Sequence, residues 1–284
     1  MFSPGAPPHA AFRVSRERCK TVTDLDSTYV GELALLYDAW KSGDNYEAWA
    51  DLLLDVIHTH RPAARNLLDV GCGTGNSSFV FLDRGFKVTG CDISSQMLEV
   101  ARSKNKGSRA ISFHEEDMCD LPSDLGTYDV IHWMDDVANH LPGPEALRAA
   151  VRSSAGLLSP DGILLFDVNT LQTFRSHFKE KKQYVVESEG VVFIWEGLTP
   201  TLVADGPARA KVTAFRESGE NLWQKTSGIV DETHFSDAAI LHAIEAAGLD
   251  HVETYGLPAS EAKMITTVSD ELLGKCIYVA RRLK

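Results

Sequence analysis

One short stretch constrains the fold of this chain more than any other, because it is an apolar strand that runs directly into a turn with glycine at every second position. The stretch reads Leu67-Leu68-Asp69-Val70-Gly71-Cys72-Gly73-Thr74-Gly75. Glycine carries no Cβ, so a turn of this kind lets the backbone approach a ligand closely. The sequence therefore predicts a ligand site at the end of a buried strand.

The next apolar run ends in an acidic residue, which supports the same interpretation. Phe86 to Cys91 precede Asp92, and a dinucleotide-type fold places its ribose-binding carboxylate at this distance from the glycine turn. Two adjacent strand ends would then face one ligand. The dinucleotide fingerprint G-x-G-x-x-G is not matched, however, because the residue three after Gly73 is Asn76. A pyrophosphate cradle is thus disfavoured, and a dehydrogenase is the weaker alternative.

The glycine turn resembles motif I of the class I S-adenosylmethionine (SAM) dependent methyltransferases, and four later segments resemble further motifs of that family in the same order. They are Asp92-Ile93-Ser94-Ser95-Gln96-Met97, His114-Glu115-Glu116-Asp117-Met118, Tyr128-Asp129-Val130-Ile131 and residues 159–168. The resemblance covers residues 29–170 directly. It implies an α/β fold with a doubly wound, seven-stranded, mainly parallel sheet of the Rossmann-like methyltransferase type, whose last strand lies antiparallel between its neighbours.

The periodicity of the chain predicts three regions. Residues 1–28 show no core pattern and are expected to form a flexible N-terminal tail. Residues 29–170 and 236–284 alternate strands and helices, which predicts a SAM-binding core with an N-terminal helical cover. Residues 171–235 contain β-branched and aromatic segments separated by turn residues, which predicts an inserted antiparallel β meander. We expect this lobe to bind the substrate.

The resemblance implies roles for most residues of the cofactor site. Gly71, Gly73 and Gly75 would hold the methionine end of SAM, and Asp69 would bind its amino group directly or through water. Asp92 would accept hydrogen bonds from both ribose hydroxyls, since a carboxylate only accepts. The remaining residues assigned to the cofactor are Tyr37, Ile93, Met97, Asp117, Met118 and Trp133. Tight turns and strand-end caps explain the same glycines and acids without a ligand.

A second cluster, His132-Trp133-Met134-Asp135-Asp136-Val137-Ala138-Asn139-His140, follows the predicted fourth strand. Asp136 and Asn139 match an Asp-x-x-Asn segment that borders the methyl-transfer site in family members of similar layout. Carboxylates there can hold a cationic amine, and His140 can take a proton. Tyr37 completes the predicted catalytic set, because its Tyr-Asp helix resembles those of small-molecule N-methyltransferases. A hydrogen-bonded loop explains the same segment without catalysis.

The predicted meander offers aromatic side chains for an acceptor. Trp195, Phe215 and Trp223 lie in its strand-like segments, and aromatic rings supply a large apolar contact area. Packing of the meander itself is the alternative role for all three. We expect at least one of them to contact the acceptor.

Composition excludes several classes of function. A net charge of −12 opposes counterion-release binding to nucleic acid. The five cysteines lie far apart, and no His/Cys spacing suggests a metal site. No apolar run approaches about 18 residues and no signal-peptide pattern begins the sequence. We therefore expect a cytoplasmic protein that contacts no membrane, holds no metal and is a monomer or homodimer.

These observations together predict SAM-dependent methyl transfer to a small-molecule acceptor. An amine of a secondary-metabolite or amino-sugar intermediate is the preferred acceptor, because a neutral amine needs no strong base. Two alternatives stay open. One is a small-molecule O-methyltransferase that uses His140 as general base, and the other is a SAM-binding protein without transfer activity.

Overall fold

The structure is a computed structural model that describes residue 29 and residues 31–188, 190–258, 264–266 and 269–282. The predicted flexible tail, residues 1–28, lies outside the described residues. Three helices come first: α1 (Gly31–Leu35), α2 (Tyr37–Trp40) and α3 (Tyr46–His60). Within the described part of the chain, no helix is both long enough and apolar enough to cross a bilayer.

Alternating strands and helices form the core. They are β1 (Asn66–Val70), α4 (Asn76–Asp83), β2 (Lys87–Asp92), α5 (Ser95–Lys104), β3 (Ile111–Glu115), β4 (Tyr128–Trp133), a 3₁₀ turn (Val137–His140), α6 (Pro144–Leu157) and β5 (Leu158–Asn169). An insertion then contributes α7 (Leu171–His177), β6 (Gln183–Ser188), β7 (Val191–Gly197), β8 (Pro207–Gly219) and β9 (Leu222–Thr233). The core is completed by α8 (Asp237–Ala246), β10 (Leu249–Leu257) and β11 (Lys275–Arg282).

Seven strands form one sheet in the order β10-β11-β5-β4-β1-β2-β3. The pairs β1–β2, β2–β3, β1–β4 and β4–β5 are parallel, whereas β11 runs antiparallel to both β5 and β10. The predicted doubly wound, mainly parallel α/β sheet with an antiparallel last strand is therefore confirmed. Strand order reverses between β1 and β4, and in open α/β sheets ligands bind outside the carboxyl ends of the strands at such a point.

Helices cover both faces of this sheet, so the residues of β1 after Asn66 are buried. Successive strand residues face opposite sides. Leu67 packs with residues of α3, α4 and α5, such as Leu53, Phe81 and Leu98. Leu68 packs on the other face with residues of α6 and α8, such as Leu147. The buried sheet therefore holds the loops at the carboxyl ends of its strands in fixed positions.

The insertion forms a second sheet of four antiparallel strands in the order β6-β7-β8-β9. The predicted meander is confirmed, whereas helix α7 at its start is not anticipated by the sequence pattern. One face of the sheet buries Phe193, Trp195 and Val212 against Leu33 of α1 and Phe174 of α7. The second sheet is thereby attached to the N-terminal cover as well as to the core.

Candidate active site

The turn after β1 requires glycine because of its backbone angles and because a side chain would contact neighbouring residues. Gly71, Gly73 and Gly75 all have positive φ angles, of 71°, 53° and 82°, which side chains rarely tolerate. A Cβ on Gly71 would lie 2.5 Å from a methyl carbon of Val137. A Cβ on Gly75 would lie 3.1 Å from the ring of Phe113. The first two glycines face a cavity, whereas Gly75 serves the packing of α4 against the sheet.

That cavity lies at the carboxyl ends of β1, β2 and β4, and we call it the glycine-turn cavity. Nine of the predicted site residues line it: Tyr37, Gly71, Gly73, Asp92, Ile93, Met97, Asp117, Met118 and His140. Further lining residues include Tyr29, Tyr46, Ser77 and Asp135. The structure thus brings the second-strand and adenine-type segments together with the turn, although they are separated in sequence.

Asp92 is fixed in position by backbone donors. Its carboxylate accepts hydrogen bonds from the N–H of Gly73, at 2.9 Å, and from the N–H of Ser94, at 2.8 Å. Each carboxylate oxygen retains a lone pair for a further donor. Burial raises the pKa of this carboxyl group above its usual range. Asp92 can therefore accept hydrogen bonds from a ligand without moving.

Asp69, predicted to bind the amino group of SAM directly or through water, does not line the glycine-turn cavity. Its side chain is 1% exposed, and Oδ2 accepts hydrogen bonds from the hydroxyls of Ser77 and Ser78, both at 2.5 Å. Oδ1 lies 3.2 Å from Nε2 of His132. The carboxylate points into the core because its strand position faces α4 rather than the cavity. Ser77, which does line the cavity, is the group through which Asp69 can influence a ligand.

Trp133 and Asn139 are also corrected, because neither lines a cavity at this site. Trp133 has no exposed surface and packs on Phe166 with ring centroids 4.9 Å apart. Asn139 has no exposed surface either. Its Nδ2 donates to the carbonyl of Thr233 and its Oδ1 accepts from the N–H of Asn169. Asn139 therefore ties the 3₁₀ turn to β5 and β9 and does not face the reacting groups.

The N-terminal cover closes one side of the glycine-turn cavity with Tyr29, Tyr37 and Tyr46. Asp38 of α2 accepts a hydrogen bond of 2.6 Å from the hydroxyl of Thr74 in the glycine turn. The cover is thus attached directly to the turn that it shields. Tyr37, which was predicted to cover the cofactor, lines this cavity.

A second, larger cavity of about 680 Å³ adjoins the first and lies between the core, the cover and the inserted sheet. We call it the interlobe cavity, and its volume falls within the roughly 300–1,000 Å³ typical of small-molecule sites. Tyr29, Tyr37 and Asp135 line both cavities. Aromatic rings form much of its remaining wall: Trp40, Trp49, Phe178, Tyr184 and Trp195.

Only one of the three meander aromatics singled out from the sequence lines this wall. Trp195 is buried, and its indole N–H donates to the carbonyl of His177 at 2.7 Å. Trp223 is 51% exposed, and Phe215 is not among the residues that line the cavity. Trp195 is therefore the one of these three residues that we still expect to contact the acceptor.

Charged groups beside the cavity junction form one ion-pair network, linked through Asp135, whose two lysines the sequence analysis did not predict. Lys41 Nζ lies 2.7 Å from Asp135 Oδ2. Lys275 Nζ lies 2.6 Å from Asp136 Oδ1 and 2.7 Å from Asp167 Oδ2. Burial by itself lowers the pKa of Lys275, but Asp136 and Asp167 raise it above its usual value. Both lysines are therefore held as ammonium ions.

The missed lysines carry no local signal, because β11 brings Lys275 to Asp136 across 139 residues of sequence. The loop after β4, by contrast, has an unusual backbone conformation. Asp135 and Asp136 adopt positive φ angles of 66° and 56°, which is strained for residues with a side chain and typical of functional loops. The sequence identified this loop from its carboxylates, but it did not predict the lysines that pair with them.

His140 lines the glycine-turn cavity beside Tyr29, which lines both cavities. Its Nε2 is 3.0 Å from the hydroxyl oxygen of Tyr29 and 3.9 Å from Asp136 Oδ2. Burial lowers the pKa of the imidazole, so the ring is neutral at pH 7. A neutral imidazole at a cavity wall can accept a proton.

Comparison with known proteins agrees with this geometry. Residues 67–162 match the family model described as a methyltransferase domain. The chain is 34% identical over 142 residues to a Streptomyces fradiae dTDP-3-amino-3,6-dideoxy-alpha-D-glucopyranose N,N-dimethyltransferase, a match that covers 49% of this chain and 54% of that protein. It is 31% identical over 150 residues to a Saccharopolyspora spinosa dTDP-4-amino-2,3,4,6-tetradeoxy-D-glucose N,N-dimethyltransferase, covering 52% and 58%. The chain thus spans little more than half the length of these curated relatives.

Two solved structures show the same fold. An S-adenosylmethionine-dependent methyltransferase from Clostridium acetobutylicum superposes with a TM-score of 0.72 at 17% identity, covering 88% of this chain and 97% of that chain. A sugar N-methyltransferase from a Streptoalloteichus species gives 0.70 at 22% identity, covering 100% of both chains. Residues 67–162 therefore match a methyltransferase domain, and the chain has the fold of these solved methyltransferases, as the sequence predicted.

Proposed function

We propose that this protein transfers a methyl group from SAM to an amine nitrogen of a small molecule, an amino sugar or another secondary-metabolite intermediate. The observation that carries the proposal is the junction of the two cavities at Tyr29, Tyr37 and Asp135. One cavity has the glycine turn and acidic strand end suited to SAM, and the other has room for an acceptor.

The residues of the glycine-turn cavity fit SAM. Gly71 and Gly73 leave space for its methionine end, and the fixed carboxylate of Asp92 suits two ribose hydroxyls. Ile93 and Met118 line the same cavity and offer apolar contacts for the adenine ring of SAM. The methyltransferase domain match over residues 67–162 supports this assignment. Bound SAM would supply an electrophilic methyl group on its sulfonium.

The chain's own contribution to the reaction would be to position the acceptor. Well-oriented intramolecular reactions reach effective molarities of roughly 10⁵–10⁸ M, so alignment alone supplies much of the rate. The two amino-sugar N,N-dimethyltransferases among the relatives favour a nitrogen acceptor. Aromatic rings beside carboxylates, as in the interlobe cavity, also suit a cationic amine.

A second candidate function is O-methylation, which the position of His140 favours. A hydroxyl acceptor gains roughly 10²–10⁴-fold in rate from a general base. His140 lines the glycine-turn cavity, and burial lowers the pKa of its imidazole, which favours the neutral ring. Its Nδ1 lies 3.3 Å from the carbonyl oxygen of Asp231 and donates to it, so Nε2 is the nitrogen that would take the hydroxyl proton.

Calorimetric titration with SAM, S-adenosylhomocysteine and NAD tests the cofactor half of the proposal. We expect SAM and its demethylated product to bind and NAD not to bind, because the glycine spacing lacks the pyrophosphate pattern. Binding of NAD without binding of SAM would contradict the proposal and favour a dehydrogenase.

A further inference from the structure

The walls of the interlobe cavity hold more negative than positive charge. Lys41 is engaged by Asp135, and Lys275 by Asp136 and Asp167. The buried carboxyl group of Glu232 therefore adds a further acid to a network in which both lysines are already paired. Ionising Glu232 there without a further cation is costly, so this arrangement favours a ligand that brings one.

Glu232 reaches the cavity from β9 of the inserted sheet. It is 5% exposed, and its Oε2 accepts a hydrogen bond of 3.1 Å from Nδ2 of Asn169. Asn169 is also 5% exposed, and its buried Oδ1 has no hydrogen-bond partner among the residues that the structure describes. Both residues line the interlobe cavity. An unpartnered acceptor thus lies next to an acid at the cavity wall.

Two more proton acceptors lie close to Glu232. Side-chain atoms of Asp136, His140 and Glu232 come within 4.8 Å of one another, and the imidazole of His140 is neutral because burial lowers its pKa. The ligand that fits such a set carries N–H donors and a positive charge, as a primary ammonium does with its three N–H bonds. A metal ion fits less well, because the ammonium of Lys275 already lies 2.6 Å from Asp136.

We propose that Glu232, together with Asn169 and Asp136, binds the acceptor as its ammonium ion, and that Glu232 then takes the proton that must leave before methylation. This inference rests on the proposed function and extends it to the charge state of the substrate. It makes Glu232 a catalytic residue that the inserted sheet supplies to the core.

The chemical step balances as follows. One ammonium N–H bond breaks, the proton bonds to a Glu232 carboxylate oxygen, and the nitrogen keeps the electron pair. That pair forms the N–C bond to the methyl group of the sulfonium donor, while the pair of the broken C–S bond stays on sulfur. The donor thereby loses its positive charge, the methylated nitrogen gains one, and Glu232 returns its proton to water.

The surroundings of Glu232 suit proton transfer. Burial, followed by the negative charge of Asp136, raises the pKa of its carboxyl group well above the usual range. A base with a raised pKa takes a proton from an ammonium with a smaller free-energy penalty. The charged or titratable groups that face Glu232 from the cover, the β4 loop, the 3₁₀ turn, β6 and β11 are Tyr29, Asp135, Asp136, His140, Tyr184 and Lys275.

The test compares two probes that differ by one group, 3-amino-3-deoxy-D-glucose and D-glucose. Each is titrated calorimetrically into the full chain saturated with S-adenosylhomocysteine. We expect the amino sugar to bind more tightly, and Glu232→Gln to weaken its binding about 10- to 100-fold without changing the affinity for glucose. The wild-type affinity for the amino sugar should rise as pH rises through the pKa of Glu232, because the ionised carboxylate forms, and this rise should vanish in the variant.

Two further variants act as controls. Glu187→Gln removes an exposed acid from β6 of the same sheet and should leave both affinities unchanged. Glu232→Asp retains the charge and should keep the pH dependence. The glutamine variant should fold, since its amide oxygen can still accept from Asn169, and a melting curve checks this.

Three results would overturn the inference: equal affinities for the two sugars, an unchanged affinity in Glu232→Gln, or a stoichiometric metal in the purified protein whose removal by EDTA abolishes amine binding. Titration with S-adenosylhomocysteine distinguishes failure of the ammonium-site inference from failure of the proposed function. If that ligand binds and the amino sugar does not, only the ammonium site is wrong. If it fails to bind, both proposals fall.

Discussion

At the scale of single residues, Asp92 is the side chain whose role is most directly open to measurement. It is held by two backbone N–H groups and lines the glycine-turn cavity. Replacing it with alanine removes a charged acceptor worth about 1.5–3 kcal/mol per hydrogen bond. We expect Asp92→Ala to weaken SAM binding about 10- to 100-fold, as measured by calorimetry.

The control for this change is Asp124→Ala, which removes an exposed acid from the loop before β4. It should leave SAM affinity unaltered. A folded Asp92→Ala protein with the wild-type dissociation constant would show that Asp92 only terminates β2 and does not contact the ligand.

The side chains of Asp69 and Trp133 show that local sequence does not determine the direction in which a strand-end side chain points. The pattern around Asp69 identifies the end of a strand, but it does not say that the carboxylate turns towards Ser77 and Ser78. Trp133 likewise ends β4 with its ring in the core. The direction of a side chain at a strand end depends on twist and on the next loop, and both arise from tertiary packing.

At the scale of elements, the inserted sheet contributes Trp195 and Glu232 to the interlobe cavity. Trp195→Ala should weaken acceptor binding and also cost about 3–5 kcal/mol of unfolding free energy, because the ring packs between Tyr184 and Phe178. Trp223→Ala, in the exposed part of β9, is the matched control and should change neither quantity. Acceptor titrations and denaturant unfolding of both variants provide the measurement.

If Trp223→Ala changed the affinity for the acceptor and Trp195→Ala did not, this assignment would be reversed. It would place the acceptor on the outer face of the inserted sheet. The lobe would then lose its proposed role as one wall of the interlobe cavity.

The helices and strands could be predicted from the sequence, whereas several contacts between them could not. The glycine turn, the alternating strands and helices, and the meander follow from local periodicity and turn residues, so the sequence alone is enough to identify them. The ion pairs of Lys41 and Lys275 and the approach of Glu232 to Asn169 could not be predicted in this way. They join segments far apart in the chain, and their placement is decided by how the second sheet docks on the first.

At the scale of the whole molecule, methyl transfer requires the two cavities to work as one site. Methyl donor and acceptor must approach across the junction lined by Tyr29, Tyr37 and Asp135. A protein that only binds SAM would need the first cavity but not the second. The presence of a charged, aromatic cavity beside the glycine turn is therefore the feature that favours catalysis over binding alone.

The chemical class of the acceptor is tested by His140→Ala, assayed with matched amine and hydroxyl compounds. With an amine acceptor, the change should reduce turnover only slightly, and any effect should shrink as pH rises and more amine is neutral. With a hydroxyl acceptor, turnover should fall by roughly 10²–10⁴-fold. The second pattern, with a methyl ether as product, would support the O-methyltransferase alternative.

The most direct measurement of the central claim is a methyl-transfer assay with SAM carrying an isotopically labelled methyl group. Amino sugars and other small amines are incubated with the protein beside their hydroxyl counterparts, and the products are identified by mass spectrometry. The account predicts label on the amine nitrogen of at least one compound and demethylated SAM in equal amount. Binding of SAM without label transfer to any amine, or label found only on oxygen, would contradict it.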